Sequence, residues 1–258
     1  MLASRATTRI PGASLSYPVR VHVRRAGRRR ISTLAEVGTV LAIAHRTPPA
    51  PTGIAALTAA GATVFEIDVQ EIGGELVCSH FLPISPLLPR VRRDRVRFTV
   101  RRRGASEVAL AATVAALPAE AEVLIDLKVD RGPAAHALIE RLFEVGPDPA
   151  RCYASTKGWE TLPALAAGGY RTWRTIGDPA ALRAALAMDR IPDYAVTVKH
   201  GLLTAGVLAA LRDRVDRVMC WTVNDVTRAR TLIDLGVDGI TSDSLDVLRL
   251  VGTHGRNA

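Results

Sequence analysis

Cysteine is scarce: Cys78, Cys152 and Cys220 stand far apart and in no C-x-x-C spacing. That excludes a disulfide-stapled scaffold and a cysteine-ligated zinc site, and the odd count fits a reducing compartment or inert buried thiols. No run of 18 or more apolar residues is free of charge, so no segment reads as a membrane span. Aromatic residues make up only 4% of the chain, too few to line a stacking groove for single-stranded nucleic acid. Lysine is nearly missing as well. Only Lys128, Lys157 and Lys199 stand among 34 basic residues, an arginine-rich skew that accompanies GC-rich coding and gives part of the arginine count no functional meaning. What is present is apolar mass, 48% of 258 residues, enough to bury a large core and to exclude disorder.

The net charge of +9 is unevenly placed. Residues 1–37 carry eight Arg against Glu36, and residues 90–103 carry eight Arg against Asp94, so each segment contributes +7 while the remainder is −5. The basic character therefore belongs to an arm and an insertion, and the body is mildly acidic. The arm, rich in Arg, Ser and Thr, reads as an unstructured tail, a transit-like leader or an anchor for an anionic surface. Glu36 interrupts the apolar stretch that a secretory signal would need. The Arg-rich 90–103 segment reads as a solvated loop or as a contact for anionic membrane, and its lone Phe98 argues against dedicated nucleic-acid binding.

From residue 38 onward, strand and helix patterns alternate. Short Val/Ile/Leu-rich runs predict eight strands at 39–45, 63–69, 122–128, 151–155, 170–176, 194–200, 217–223 and 238–243, with helical patterns between them. Residues 73–80 read as an additional strand or extended loop, and 81–104, with three prolines, as an irregular insertion. Eight βα units in this length predict an α/β fold, a single-domain (β/α)8 TIM barrel over 38–258. A doubly wound sheet is disfavoured, because the first strand leads into HRTPPAPTG rather than a glycine-rich phosphate loop.

In such a barrel, chemistry gathers where strands end. His45 and Arg46 end the first strand, and Glu66 and Asp68 lie two apart on the second, on one face and about 7 Å apart along the chain. His80 ends the extended segment, and Asp126 and Lys128 share a face of the third strand. Lys199, His200, Trp221, Asn224 and Asp243 end later strands. Three carboxylates on neighbouring strand ends make a hard oxygen site for Mg²⁺ or Ca²⁺, and two flanking histidines suit proton transfer near neutral pH. Each pair alone reads equally well as an internal salt bridge, and Trp221 as a packing residue. His22, His136 and His254 fall in the arm, a helix and the C-terminal region and make poor ligands, and His200 reads as a rim contact.

These motifs resemble the glycerophosphodiester phosphodiesterases of the phospholipase-C-like phosphodiesterase superfamily. AHR (44–46) is similar to the family's HR motif, EIDVQ (66–70) to its E-x-D-V signature, and GGELVCSH (73–80) to the segment bearing its second histidine. IDLK (125–128) is similar to its E-x-K strand, and CWTVND with LGVDGITSD to its closing strands. The resemblance implies Glu66, Asp68 and Asp126 as ligands of a divalent metal, His45 and His80 as general acid and base, and Arg46 and Lys128 on the phosphate, with Trp221 beside the substrate. It implies hydrolysis of glycerophosphodiesters to an alcohol and glycerol 3-phosphate, with small-molecule or lipid phosphodiesters as partners. The implied location is cytoplasmic or membrane-peripheral.

Departures from the family are local. Thr47 replaces the glycine after HR, Phe81 replaces the acid after the second histidine, Asp126 replaces a Glu, and only 21 residues separate His45 from Glu66. The short gap and D-x-K strand also resemble the sphingomyelinase D-like phospholipases D, which gives lysophospholipid hydrolysis as an alternative. A non-catalytic phosphate-binding barrel and a basic adaptor are the other readings. Headgroup, metal, product form and oligomeric state stay open.

Overall fold

Strands form in this chain where β-branched and aliphatic residues crowd between a polar loop and a helix. The computed structural model describes residues 39–48, 50–80, 90–94, 97–101, 108–128 and 132–254. The arm assigned to residues 1–37 lies outside them, as does most of the insertion. In chain order the elements are β1 (Leu41–Ala44), α1 (Pro51–Ala59), β2 (Val64–Ile72), β3 (Glu75–Cys78), β4 (Arg90–Asp94), β5 (Arg97–Arg101) and α2 (Leu110–Ala116). There follow β6 (Glu122–Leu127), α3 (Gly132–Val145), β7 (Cys152–Thr156), α4 (Leu162–Ala167), β8 (Arg171–Ile176) and α5 (Pro179–Leu186). The remainder comprises β9 (Ala195–Lys199), α6 (Ala205–Arg212), β10 (Val218–Trp221), α7 (Val226–Leu235), β11 (Gly239–Ser242) and α8 (Leu245–His254).

Eight of these strands, β1, β2 and β6 to β11, pair in parallel in that order, and β11 returns to β1 to close the ring. The protein is the (β/α)8 barrel expected from its sequence, with each of the eight predicted strands in place. Strand alternation divides the residues into two sets. Outward positions such as Phe65, Ile67, Val123 and Ile125 pack against helices, where α3 offers Ala135, Leu138, Ile139 and Leu142 at helical spacing. Inward positions fill the barrel with Leu41, Ile43, Val64, Leu124, Tyr153, Trp173, Ala195 and Met219. No helix among the described residues is long and apolar enough to cross a membrane.

One local feature takes the strand alternative read for 73–80, and another differs from the expectation. β2 runs on to Ile72 and folds back through Gly73 and Gly74, at φ 61° and 86°, into the antiparallel β3. Two consecutive residues at positive φ form the turn that matches the twist of a two-residue hairpin, and glycine adopts it without a Cβ penalty. The insertion at 81–104 is not wholly irregular: β4 and β5 pair antiparallel, with Val91 opposite Val100 and Arg93 opposite Phe98. Arginine count and the preceding prolines masked Val91, Phe98, Thr99 and Val100, residue types that favour strand over loop.

Candidate active site

The inward face of β2 begins apolar with Val64 and turns acidic at Glu66 and Asp68 towards its C-terminal end. Parallel register sets Asp68 beside Asp126 on β6, and Asp126 beside Ser155 on β7. The sequence spacing therefore becomes a cluster: one carboxylate oxygen each from Glu66, Asp68 and Asp126 lie within 4.8 Å of one another. Glu66 and Asp68 are buried and Asp126 is partly buried. Lys128 bridges two members, 2.6 Å from Asp68 Oδ1 and in contact with Asp126 Oδ2. Ser155 Oγ donates to Asp126 Oδ1 at 2.8 Å.

Lys128, with the Arg46 Nε 3.7 Å from Asp68 Oδ2, does not balance three acids. Burial, then the charges of Asp68 and Asp126, push the Glu66 carboxyl well above its ordinary value against the pull of Lys128. Burial also works to raise Asp68, but Lys128 and His80 outweigh it and hold that carboxyl below its usual value. Burial opposes the Lys128 ammonium, yet the surrounding carboxylates raise its pKa. A divalent cation fits this donor set, because it supplies the missing positive charge to hard oxygen ligands.

The two histidines approach from either side. His45 follows β1, and its Nδ1 lies 2.7 Å from Asp243 Oδ1 at the end of β11. Asn224 holds that carboxylate, its Nδ2 donating to Asp243 Oδ2 at 2.9 Å and its Oδ1 accepting from the Asp243 N–H. Burial would raise Asp243, but the bonds from His45 and Asn224 keep its carboxyl below the ordinary value. His80 reaches the site by a different route. The β2–β3 hairpin reverses the chain, the Ser79 N–H bonds Asp68 O at 2.9 Å, and His80 Nε2 comes within 3.8 Å of Asp68 Oδ2. Burial lowers the His80 pKa, Asp68 opposes this, and Lys128 and Arg46 add to it.

Arg46 links the two sides. Its backbone takes φ 52°, a left-handed conformation that costs a non-glycine residue about 1 kcal/mol. In that conformation its N–H donates to Glu66 Oε2 at 2.6 Å, while its Nη2 lies 2.6 Å from His80 Nε2. Thr47, where the family has glycine, is accommodated by a backbone bond to Glu66 O.

These residues open into one pocket of about 500 Å³ whose lining includes His45, Arg46, Glu66, His80, Asp126, Lys128 and Trp221. All eight residues singled out from the sequence thus meet at the C-terminal end of the barrel, seven on the pocket wall and Asp68 beside it. Asp243 and Asn224 had been noted only as polar strand ends. Their link to His45 spans 198 residues of sequence and has no local signature. Lys157 and Thr175, also on the wall, carried no signal beyond strand position.

Fold and site together define a TIM barrel with an acidic, two-histidine pocket at its strand ends. The model of the glycerophosphoryl diester phosphodiesterase family matches residues 123–247, bearing out the recognition made from the motifs. The match takes in Asp126, Lys128, Trp221, Asn224 and Asp243, and begins after His45, Glu66, Asp68 and His80. Among solved structures, a putative glycerophosphoryl diester phosphodiesterase from Agrobacterium tumefaciens shares 17% identity at a TM-score of 0.62, over 85% of this chain and all (100%) of its own. One from Silicibacter pomeroyi shares 17% at 0.60, over 84% and 94%. An Oleispira antarctica phosphodiesterase in complex with the product sn-glycerol-3-phosphate shares 15% at 0.61, over 83% and 96%. Identities this low show a common fold. No curated protein sequence matches the chain.

Proposed function

We propose that this protein is a metal-dependent glycerophosphodiester phosphodiesterase, releasing an alcohol and glycerol 3-phosphate. The observation that carries the reading is the convergence of Glu66, Asp68 and Asp126 with His45 and His80 at one pocket. Glu66, Asp68 and Asp126 would hold the divalent cation, Mg²⁺ or Ca²⁺, which when bound neutralises phosphate charge and acidifies an attacking hydroxyl. The chain's own groups do the rest. His45 donates Nδ1–H to Asp243, which stabilises the imidazolium that forms and leaves Nε2 to accept the proton of the attacking hydroxyl, either water itself or the substrate's neighbouring hydroxyl, whose cyclic ester water then opens to glycerol 3-phosphate. His80, on the other side of the cluster, returns a proton to the departing alkoxide. Arg46 offers its guanidinium to the phosphate, and Lys128 balances charge among the metal ligands. Lysophospholipid hydrolysis uses the same groups on a larger alcohol and remains the second reading.

The site lies at the C-terminal end of the barrel strands. The Arg-rich segment 90–103 follows His80 in the sequence, and its charge supports a cytoplasmic enzyme making peripheral contact with anionic membrane.

The decisive experiment is release of glycerol 3-phosphate or free alcohol from a panel of glycerophosphodiesters and lysophospholipids, with Mg²⁺, with Ca²⁺ and with chelator. Turnover that needs a metal and falls about 10²- to 10⁴-fold in His45→Ala is the expected result. A folded protein inert on every diester with both metals overturns the reading. Sedimentation with phosphatidylserine vesicles tests the membrane contact, which salt should weaken.

A further inference from the structure

The wall of the pocket that runs on from the acidic cluster is built from β7 to β10, and among its described lining residues it holds no acid. Ser155, Lys157, Thr175, Thr197, Trp221 and Thr222 make up this side. Trp221 is pinned by its indole N–H, which donates to Thr197 O at 3.2 Å. Such an indole face would ordinarily attract a quaternary ammonium. Here the place is taken, because the Lys157 ammonium lies 5.9 Å from the Trp221 ring centre. Gly177 lies beside both side chains, where a Cβ would make ordinary contact with Trp221 Cζ2 at 3.6 Å and Lys157 Cε at 3.8 Å. Beside them Thr175, 7% exposed, has a buried Oγ1 with no hydrogen-bond partner among the described residues. A buried hydroxyl left without a partner costs free energy until something satisfies it, and a ligand hydroxyl placed there would do so.

We infer that Lys157 and Thr175 select the headgroup: this wall accepts a hydroxyl-rich, uncharged alcohol and rejects a quaternary ammonium. The inference rests on the diester reading for the phosphate and adds which alcohol it carries. Lys157 is exposed, and its ammonium beside the indole repels a second cation brought to that face by about one order of magnitude in affinity at a protein surface. Thr175 adds discrimination of the opposite kind, since a site built to bond a hydroxyl disfavours an analogue that lacks one.

The test compares glycerophosphoglycerol with glycerophosphocholine, using the full chain with Mg²⁺, as wild type, Lys157→Met and Thr175→Val. Lys157→Met keeps the aliphatic stem over Trp221 and removes the charge. The ratio of kcat/KM for the glycerol diester over the choline diester is expected to favour glycerol in the wild type. It should fall about tenfold in Lys157→Met, chiefly through KM for the choline diester, with a smaller loss at low salt than at high salt ruled out by the charge argument. Thr175→Val should lower the ratio by about threefold through the glycerol diester alone. For a protein that turns over neither diester, the same ratios are read from calorimetric affinities. Shifted binding ratios without turnover would sustain the headgroup inference while the hydrolytic reading fails. Ratios that stay within about twofold of wild type in both variants would overturn it, as would binding of neither diester.

Discussion

Glu122 and Glu66 face the interior of the same barrel from opposite ends. At the N-terminal end, Tyr153 OH donates to Glu122 Oε2 at 2.6 Å and Arg171 Nη2 to Oε1 at 2.6 Å. The Arg171 guanidinium lies 3.9 Å over the Tyr153 ring. One acid meets donors at both oxygens, and the network closes the barrel floor. At the C-terminal end, three acids share Lys128 and Arg46, and Glu66 is left with a carboxyl that resists ionisation. The contrast separates charge that holds a fold from charge that waits for a ligand. Buried acids that are fully answered by their neighbours are structural, and those that are under-compensated mark a binding site.

The comparison breaks most visibly at Glu66. Glu66→Gln should lower kcat/KM by about 10³-fold, through loss of several kcal/mol of charge stabilisation, without lowering the metal-free Tm. A carboxyl whose folded pKa is raised contributes stability that is lost as pH rises through the window above its unfolded value. Metal-free wild type should therefore lose Tm relative to Glu66→Gln as pH climbs from 4.5 towards neutrality. A difference that is flat with pH would remove the under-compensation argument. At the other end, Glu122→Ala should destabilise the fold by about 3 kcal/mol in urea unfolding, because it strands Arg171 and Tyr153. The protein that remains folded should keep kcat within a few-fold.

Saturating Mg²⁺ or Ca²⁺, at about a hundredfold excess over Kd, should stabilise the wild type by about 2.7 kcal/mol and Glu66→Gln far less. A thermal melt with and without chelator reads this, and equal shifts in both proteins would place the cation elsewhere. The smallest effect is expected at Asp243, which acts through His45. Asp243→Asn should lower kcat about tenfold with KM little changed, and a change confined to KM would argue against an orienting role.

The barrel was legible because each βα unit announces itself locally. Runs such as EVLIDLKVD and DGITSD need no distant partner to be read as strands, and alternation along β2 and β6 set Glu66, Asp68 and Asp126 on the inward face. The hidden parts depend on contacts between distant segments. Asp243 looks like any strand-end acid until β11 closes on β1, and Thr175 until its hydroxyl is seen to lack a partner. The β4–β5 pairing was obscured because its valines are interleaved with arginines, which read first as charge.

Ring closure also sets the order in which this protein becomes competent. A chain emerging from the ribosome can present Glu66, Asp68, His80 and Asp126 once β6 has been made, yet His45 has no carboxylate until β11, at Gly239–Ser242, docks beside β1. The last barrel strand thus serves as a completion signal. A chain that stops before Gly239 would carry Glu66, Asp68, His80 and Asp126 but leave the His45 ring without its Asp243 partner.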